Sequence, residues 1–400
     1  MENMEISTSN FFTPYNFETI LNQNLGEFHN QLDFYDNQQK EATKKIISDY
    51  HKILSPEFPD FLHPYINLPI MQRLAGIGLL CGSDFTSLFK NRFFYSRLDH
   101  SIGVALIIWN FTKNKAQTLS GLFHDISTPT FSHVSDFRKG DALTQTITEI
   151  STSAFIRKSE ELLDLLKKDG LTPEDIEDYH KYPIADNEIP SLSADRLEYM
   201  FPSGMVLENS WKLSQIKEIY NDITILTNEK GIPELGFKNE EKALEYCTKF
   251  CITGHLLQLN EDKLTLHLLG EIMNLAEELN ILSESDFYRL SEKEAISKIQ
   301  EKTQEINYKD SKLVYFYRLF NTFLSMKEIL HVDNLSELPE PTENYFIVDI
   351  KVKQRYINPL VKTPEGTKRI YNVNPLAKKI IDDFISYKDT KYGCVKLIEN

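Results

Sequence analysis

Leu122-Phe123-His124-Asp125-Ile126-Ser127-Thr128-Pro129 is the stretch on which the reading of the fold turns. A helical run beginning near Lys115 meets Pro129, so an adjacent imidazole and carboxylate emerge together at a helix end. Upstream, Ser96-Arg97-Leu98-Asp99-His100-Ser101 has capping-box spacing between Ser96 and Asp99. Ile102, Ala105 and Trp109 continue that helix and put His100 in its first turn. Downstream, Ser193-Ala194-Asp195-Arg196-Leu197-Glu198-Tyr199 starts a helix after Pro190, with Asp195 and Tyr199 on one face. His100, His124, Asp125 and Asp195 together form a mixed nitrogen and oxygen donor set. Such a set suits a divalent ion (Mn, Fe, Mg or Zn) and leaves positions for water and substrate. A structural zinc would instead be closed by four Cys or His ligands.

The order His100, His124-Asp125, Asp195 resembles the HD superfamily of metal-dependent phosphohydrolases, whose signature is a His, a His-Asp doublet and a distant Asp. The text is nearest to the deoxynucleoside triphosphate triphosphohydrolases, with their Asn-Arg-Phe-Glu-His-Ser, His-Asp-Leu-Gly-His-Gly-Pro-Phe-Ser-His and Asp-Lys-x-x-Tyr motifs. Here the counterparts are Ser96 to Ser101, His124 to His133, and Asp195 to Tyr199, within a motif core of 71–200. The resemblance implies a mainly α, multi-helix HD body in which His100, His124, Asp125 and Asp195 ligate metal. It implies that Arg97, Arg196 and Tyr199 contact the phosphate or sugar of a substrate. It also makes His133 a candidate acid or base toward the leaving group, or a phosphate donor, and counts Asp125 among the catalytic residues. The chain departs from that branch where Thr128 and Pro129 replace a His-Gly pair. It also lacks the branch's His-Glu dyad: Asp141 to Ile150 offers Thr144, Gln145, Thr146 and Glu149, so Glu149 or Asp136 is the candidate substitute base.

Outward from the motifs, apolar residues at helical spacing recur through 36–331, including Ala42 to Ile53, Pro69 to Leu80, Trp211 to Leu226, Glu240 to Leu257 and Leu313 to Ile329. Residues 1–35 read as an N-terminal arm, and 332–343, with Pro339 and Pro341, as a linker. From Asn344 the texture changes. Phe346, Val348, Ile350 and Val352 alternate with polar neighbours, predicting a strand over Tyr345 to Tyr356 with Arg369 to Val373 as its partner. This C-terminal α+β appendage, 344–400, carries a net charge of +5, leaving −20 for the rest. Its Lys351, Lys353 and Arg355 row faces either solvent, the plainer reading, or a phosphate or a neighbouring subunit.

Four cysteines in 400 residues are too few and too scattered for a disulfide framework. Cys247, Cys251 and His255 share a helix face and read as buried packing rather than a metal clip. His180, His255, His267 and His331 belong to no motif and read as structural or exposed. The net charge of −15 argues against wholesale binding of nucleic acid or anionic membrane, and no apolar run is long enough to span a bilayer. A cytoplasmic location is expected. The expected activity is hydrolysis of a phosphate ester or anhydride in a nucleotide, deoxynucleotide or other phosphorylated small molecule, by a protein that self-associates as a dimer or larger assembly. A catalytically weak nucleotide sensor is the first alternative, and a nuclease or single-strand nucleic-acid binder the second.

Overall fold

A computed structural model describes residues 37–143, 151–303 and 310–399. The N-terminal arm and the Gln145 and Glu149 positions lie outside the described residues. The architecture is mainly α, with a C-terminal α+β segment.

The frame of the site is α1 (Asn37–Leu54), α2 (Arg97–Thr112), α3 (Lys115–Phe123), α4 (Val134–Arg138) and α5 (Ala194–Ser203). Their starts are set by local chemistry. Ser96 caps α2, accepting from the Asp99 amide at 3.1 Å while the Asp99 carboxylate accepts from the Ser96 amide at 3.0 Å. Asn114 caps α3 through the Gln117 amide at 3.0 Å, and Ser193 caps α5 through the Arg196 amide at 3.2 Å. Each cap fixes where its helix begins and hence where the next polar side chain points. One core cluster joins these helices through Val104, Leu119 and Leu197; its members Ile357 and Phe384 extend it into the C-terminal segment.

Beyond the frame come α6 (Leu213–Asp222), β1 (Ile223–Thr227), β2 (Pro233–Phe237), α7 (Glu240–Leu256), α8 (Asn260–Glu278), α9 (Ser311–Ser325), β3 (Leu330–Val332), β4 (Tyr345–Val348), β5 (Leu360–Thr363), β6 (Gly366–Arg369), α10 (Pro375–Ser386) and β7 (Tyr392–Lys396). A second core cluster packs α8 and α9 on β4 and β7 through Leu268, Phe320, Phe346 and Val395. One sheet runs β3-β7-β4, all antiparallel; the other runs β1-β2-β5-β6. In the second sheet β2 and β5 are parallel, with Gly236 opposite Leu360 and Phe237 opposite Val361. The C-terminal segment is thereby hydrogen-bonded into the same sheet as a hairpin of the body.

Five elements differ from the sequence reading. The helix expected over Trp211 to Leu226 stops at Asp222, because the β-branched run Ile223-Thr224-Ile225 prefers the extended state and pairs with β2. Pro69 to Leu80 is helical only to Gly76, where Gly76 and Gly78 break the pattern. The helix over Leu313 to Ile329 ends at Ser325, and Leu330 enters a strand. The strand expected over Tyr345 to Tyr356 ends at Val348 and pairs with β7, while Ile370–Val373 is a helical turn. Residues 349–359 instead form an irregular strap.

Cys247, Cys251 and His255 are buried in α7, as packing residues would be. Among the described residues no helix is long and apolar enough to cross a membrane.

Candidate metal centre

α2, the end of α3 and α5 bring His100, His124, Asp125 and Asp195 together. Nε2 of His100 lies 3.2 Å from Nε2 of His124 and 3.1 Å from Asp195 Oδ1, which is 3.7 Å from His124 Nε2. These three residues present donor atoms within 4.8 Å of one another. Asp125 Oδ2 stands 3.8 Å from His100 Nε2 and 3.5 Å from His124 Nε2. All four line one cavity of about 290 Å³.

The outer bonds orient the rings. His124 Nδ1 donates to the Gly121 carbonyl at 2.7 Å, which turns Nε2 toward the centre. His100 Nδ1 bonds to Glu198, a fully buried carboxylate whose other oxygen accepts from Tyr95 Oη at 2.5 Å. Burial pushes the His100 imidazole down, but Glu198 and Asp195 outweigh it and raise it to about 10. Burial likewise pushes Asp125 and Asp195 up; Arg97 with both imidazoles overcomes it for Asp125, and His100 with His124 for Asp195, holding both well below the carboxylate range. Carboxylates held low and an imidazole held high reflect charges that compensate one another, and a divalent cation bound here would compete with the His100 proton. Two ring nitrogens and two carboxylates converging at this spacing fit a hard or borderline cation with water in its remaining positions.

The residues expected to touch substrate have different fates. Arg97 is buried; its Nη1 donates to Asp125 Oδ2 at 2.9 Å and its Nε to Ser132 Oγ at 3.1 Å. Arg196 lines the cavity but is taken up by Ser191 O at 2.8 Å, by Asp186 Oδ1 at 3.3 Å, and by the Asn187 carbonyl and side chain. Tyr199 lines the cavity with a buried hydroxyl that has no partner among the described residues, and burial raises it to about 12. His133 also faces the cavity and bonds through Nδ1 to the fully buried Asp136 at 2.8 Å. Burial lowers the His133 imidazole. Asp136, one of the two candidate substitute bases, is thus bonded to His133; the other, Glu149, is outside the described residues.

Several residues of the site escaped the sequence reading. Glu198 was visible within the third motif, three residues after Asp195, and its signal was an acid on the buried face of a helix. Gly103 in α2 makes room for it: a Cβ there would collide with the Glu198 carboxylate. Tyr179, its ring 5.1 Å from that of His124, and His180 carry no sequence signal. Lys353 and Arg355 line the cavity, so two members of the row that read as a solvated strand face turn inward on the strap, while Lys351 stays exposed.

No family model matches the sequence. The uncharacterized protein YdhJ of Bacillus subtilis is 32% identical over 130 residues, 32% of this chain and 38% of that protein. The metal-dependent phosphohydrolase cns2 of Cordyceps militaris is 29% identical over 129 residues, 32% of this chain and 36% of its own. The matches thus span under two-fifths of each relative's length. A hypothetical protein from Aquifex aeolicus superposes with a TM-score of 0.55 at 19% identity, over 85% of this chain and 93% of its own. A phosphohydrolase from Bacteroides thetaiotaomicron gives 0.54 at 12% identity, over 84% and 95%. The chain shares their fold.

Proposed function

We propose that the protein is a metal-dependent phosphohydrolase of the HD type, acting on a phosphorylated small molecule, with nucleotides and deoxynucleotides as the expected class. The observation that carries this reading is the approach of the two Nε2 atoms to 3.2 Å, with each Nδ1 committed elsewhere and two carboxylates alongside. Like lone pairs at that spacing need a cation or a proton between them. The likeness to cns2, itself a metal-dependent phosphohydrolase, supports the same reading.

His100, His124, Asp125 and Asp195 would hold the ion, whose identity among Mn, Fe, Mg and Zn the donor set leaves open. When bound, such an ion activates water and neutralises phosphoryl charge. Arg97 fixes the Asp125 carboxylate, and Thr128 Oγ1 donates to its other oxygen at 2.9 Å. His133, steadied through Nδ1 by Asp136, takes a proton from the attacking water and returns it to the leaving oxygen as the P–O bond breaks. That dyad supports hydrolysis over a sensor without turnover. The Tyr199 hydroxyl supplies an unsatisfied donor for substrate oxygen. A cavity of about 290 Å³ lies near the lower end of ordinary ligand pockets, roughly 300–1,000 Å³, and so suits a single nucleotide better than a strand.

The test is purification with Mn, Mg, Fe or Zn, elemental analysis, and a panel of nucleotides and simple phosphomonoesters. Metal-dependent phosphate release, abolished by Asp125→Ala, is expected. Turnover indifferent to that substitution, or none with any metal, would overturn the assignment.

A further inference from the structure

Arg97 and Arg196, the arginines that the motifs offer to a phosphate, both spend donors on protein partners. A third arginine lines the same cavity from far along the chain. Arg355 sits half-buried on the strap, and among the described residues its guanidinium makes no hydrogen bond or ion pair. Its charge reaches His133, Tyr199 and Asp262. His133 and Tyr199 are the two groups to which the reading above gives proton transfer and substrate contact.

The strap is irregular yet pinned on both sides of Arg355. Gln258 Nε2 donates to the Lys353 carbonyl at 3.2 Å, and Gln354 Nε2 donates to the Phe384 carbonyl at 3.0 Å. Beyond it, Ile357 is fully buried and the Asn358 amide donates to the Pro190 carbonyl at 2.8 Å. Gly254 of α7 lies under the strap: a Cβ there would stand at ordinary contact distance, 3.5 Å, from the Arg355 carbonyl, and tightly, at 3.1 Å, against the Phe384 ring. A held backbone with an uncommitted guanidinium is pre-organised for a ligand, because little ordering remains to be done on binding.

From this geometry we propose that Arg355 is the anion anchor of the cavity, binding phosphoryl oxygens of the substrate beside His133 and Tyr199. The proposal rests on the phosphohydrolase reading for the identity of the substrate, though not for the anchor itself. Asp262, on the same wall, is the acidic neighbour that an incoming phosphate meets. Burial raises its carboxyl to about 7, against the pull of Lys263 and Arg355, so near neutrality part of its charge is suppressed. The guanidinium offers the planar pair of N–H donors that matches a phosphate.

The probe is inorganic phosphate, titrated into the full chain by calorimetry with and without saturating Mn, for the wild type, Arg355→Gln, Arg355→Lys and the exposed control Lys351→Gln. Arg355→Gln is expected to weaken phosphate binding about tenfold or more, with Lys partly restoring it and Lys351→Gln without effect, at unchanged Mn affinity and melting temperature. Equal affinity in the wild type and Arg355→Gln, or no phosphate binding by the wild type in either condition, overturns the anchor. Arg355-dependent phosphate binding in a protein that takes up no metal would uphold the anchor and sink the hydrolase reading, so the two failures are distinct.

Discussion

His100 Nδ1 is bonded to the buried carboxylate of Glu198, which lies on the same helix as Asp195 and three residues beyond it. One short helix thus supplies both a candidate ligand and the group that aims another candidate ligand. Carboxylates in this position fix ring orientation and raise the basicity of the coordinating nitrogen. Glu198→Gln is therefore expected to keep the fold and weaken Mn binding about 10–100-fold. Titration of metal-free protein measures it; an unchanged affinity would show that Glu198 serves packing alone.

Gly103 faces the same carboxylate across the α2–α5 contact. Gly103→Ala should force Glu198 off His100 and strain the helix pair, costing about 1–3 kcal/mol. Thermal unfolding and Mn titration should fall together. A lowered melting temperature with intact metal affinity would mean that the helices separate without disturbing the centre.

Arg97 and Asp125 are both buried and joined at 2.9 Å. Removing one member strands the other without water, a loss of about 3–5 kcal/mol in comparable pairs. Arg97→Ala should show a loss of this order in denaturant unfolding of metal-free protein. Excess Mn should recover part of it by compensating Asp125. Arg97→Lys keeps the charge but not the fork that reaches both Asp125 and Ser132, so an intermediate loss is expected.

His331 of β3 bridges Glu261 of α8 at 2.8 Å through Nε2 and Asp389 at 3.2 Å through Nδ1. With both ring nitrogens engaged, this second cluster of candidate ligands reads as a charged clamp. Its bonds to Asp389 and Glu261 raise the His331 imidazole to about 10. A raised folded-state pKa stabilises fully below the unfolded value, about 6.5, and that contribution fades as pH climbs toward about 10. Chemical unfolding measured between pH 6 and 10 should lose stability along this interval, and His331→Gln should flatten that slope. An identical slope in the variant would remove His331 as its source.

The helical texture, the caps at Ser96 and Ser193, and the meeting of His100, His124, Asp125 and Asp195 were legible because each rests on local chemistry or on motif spacing. What escaped was decided by tertiary contact. Ile223 to Thr227 fits a helical apolar pattern until the partner strand β2 is known. The alternation at Phe346 to Val352 holds as strand only to Val348, since nothing in it distinguishes a sheet from an irregular strap against a cavity. Arg97 and Arg196 sit at the motif positions; their pairing with Asp125 and Asp186 depends on loops folding back from elsewhere. Glu198 was in plain view, but its partner His100 is 98 residues away.

Because β2 and β5 pair in parallel, the strap is delivered to the cavity by a stretch more than 150 residues beyond the last of the four converging side chains. The candidate ion ligands and the proposed anion anchor are thus written in separate parts of the polypeptide. Variation confined to 349–359 has the freedom to reshape one wall of the cavity while the four converging side chains are inherited unaltered.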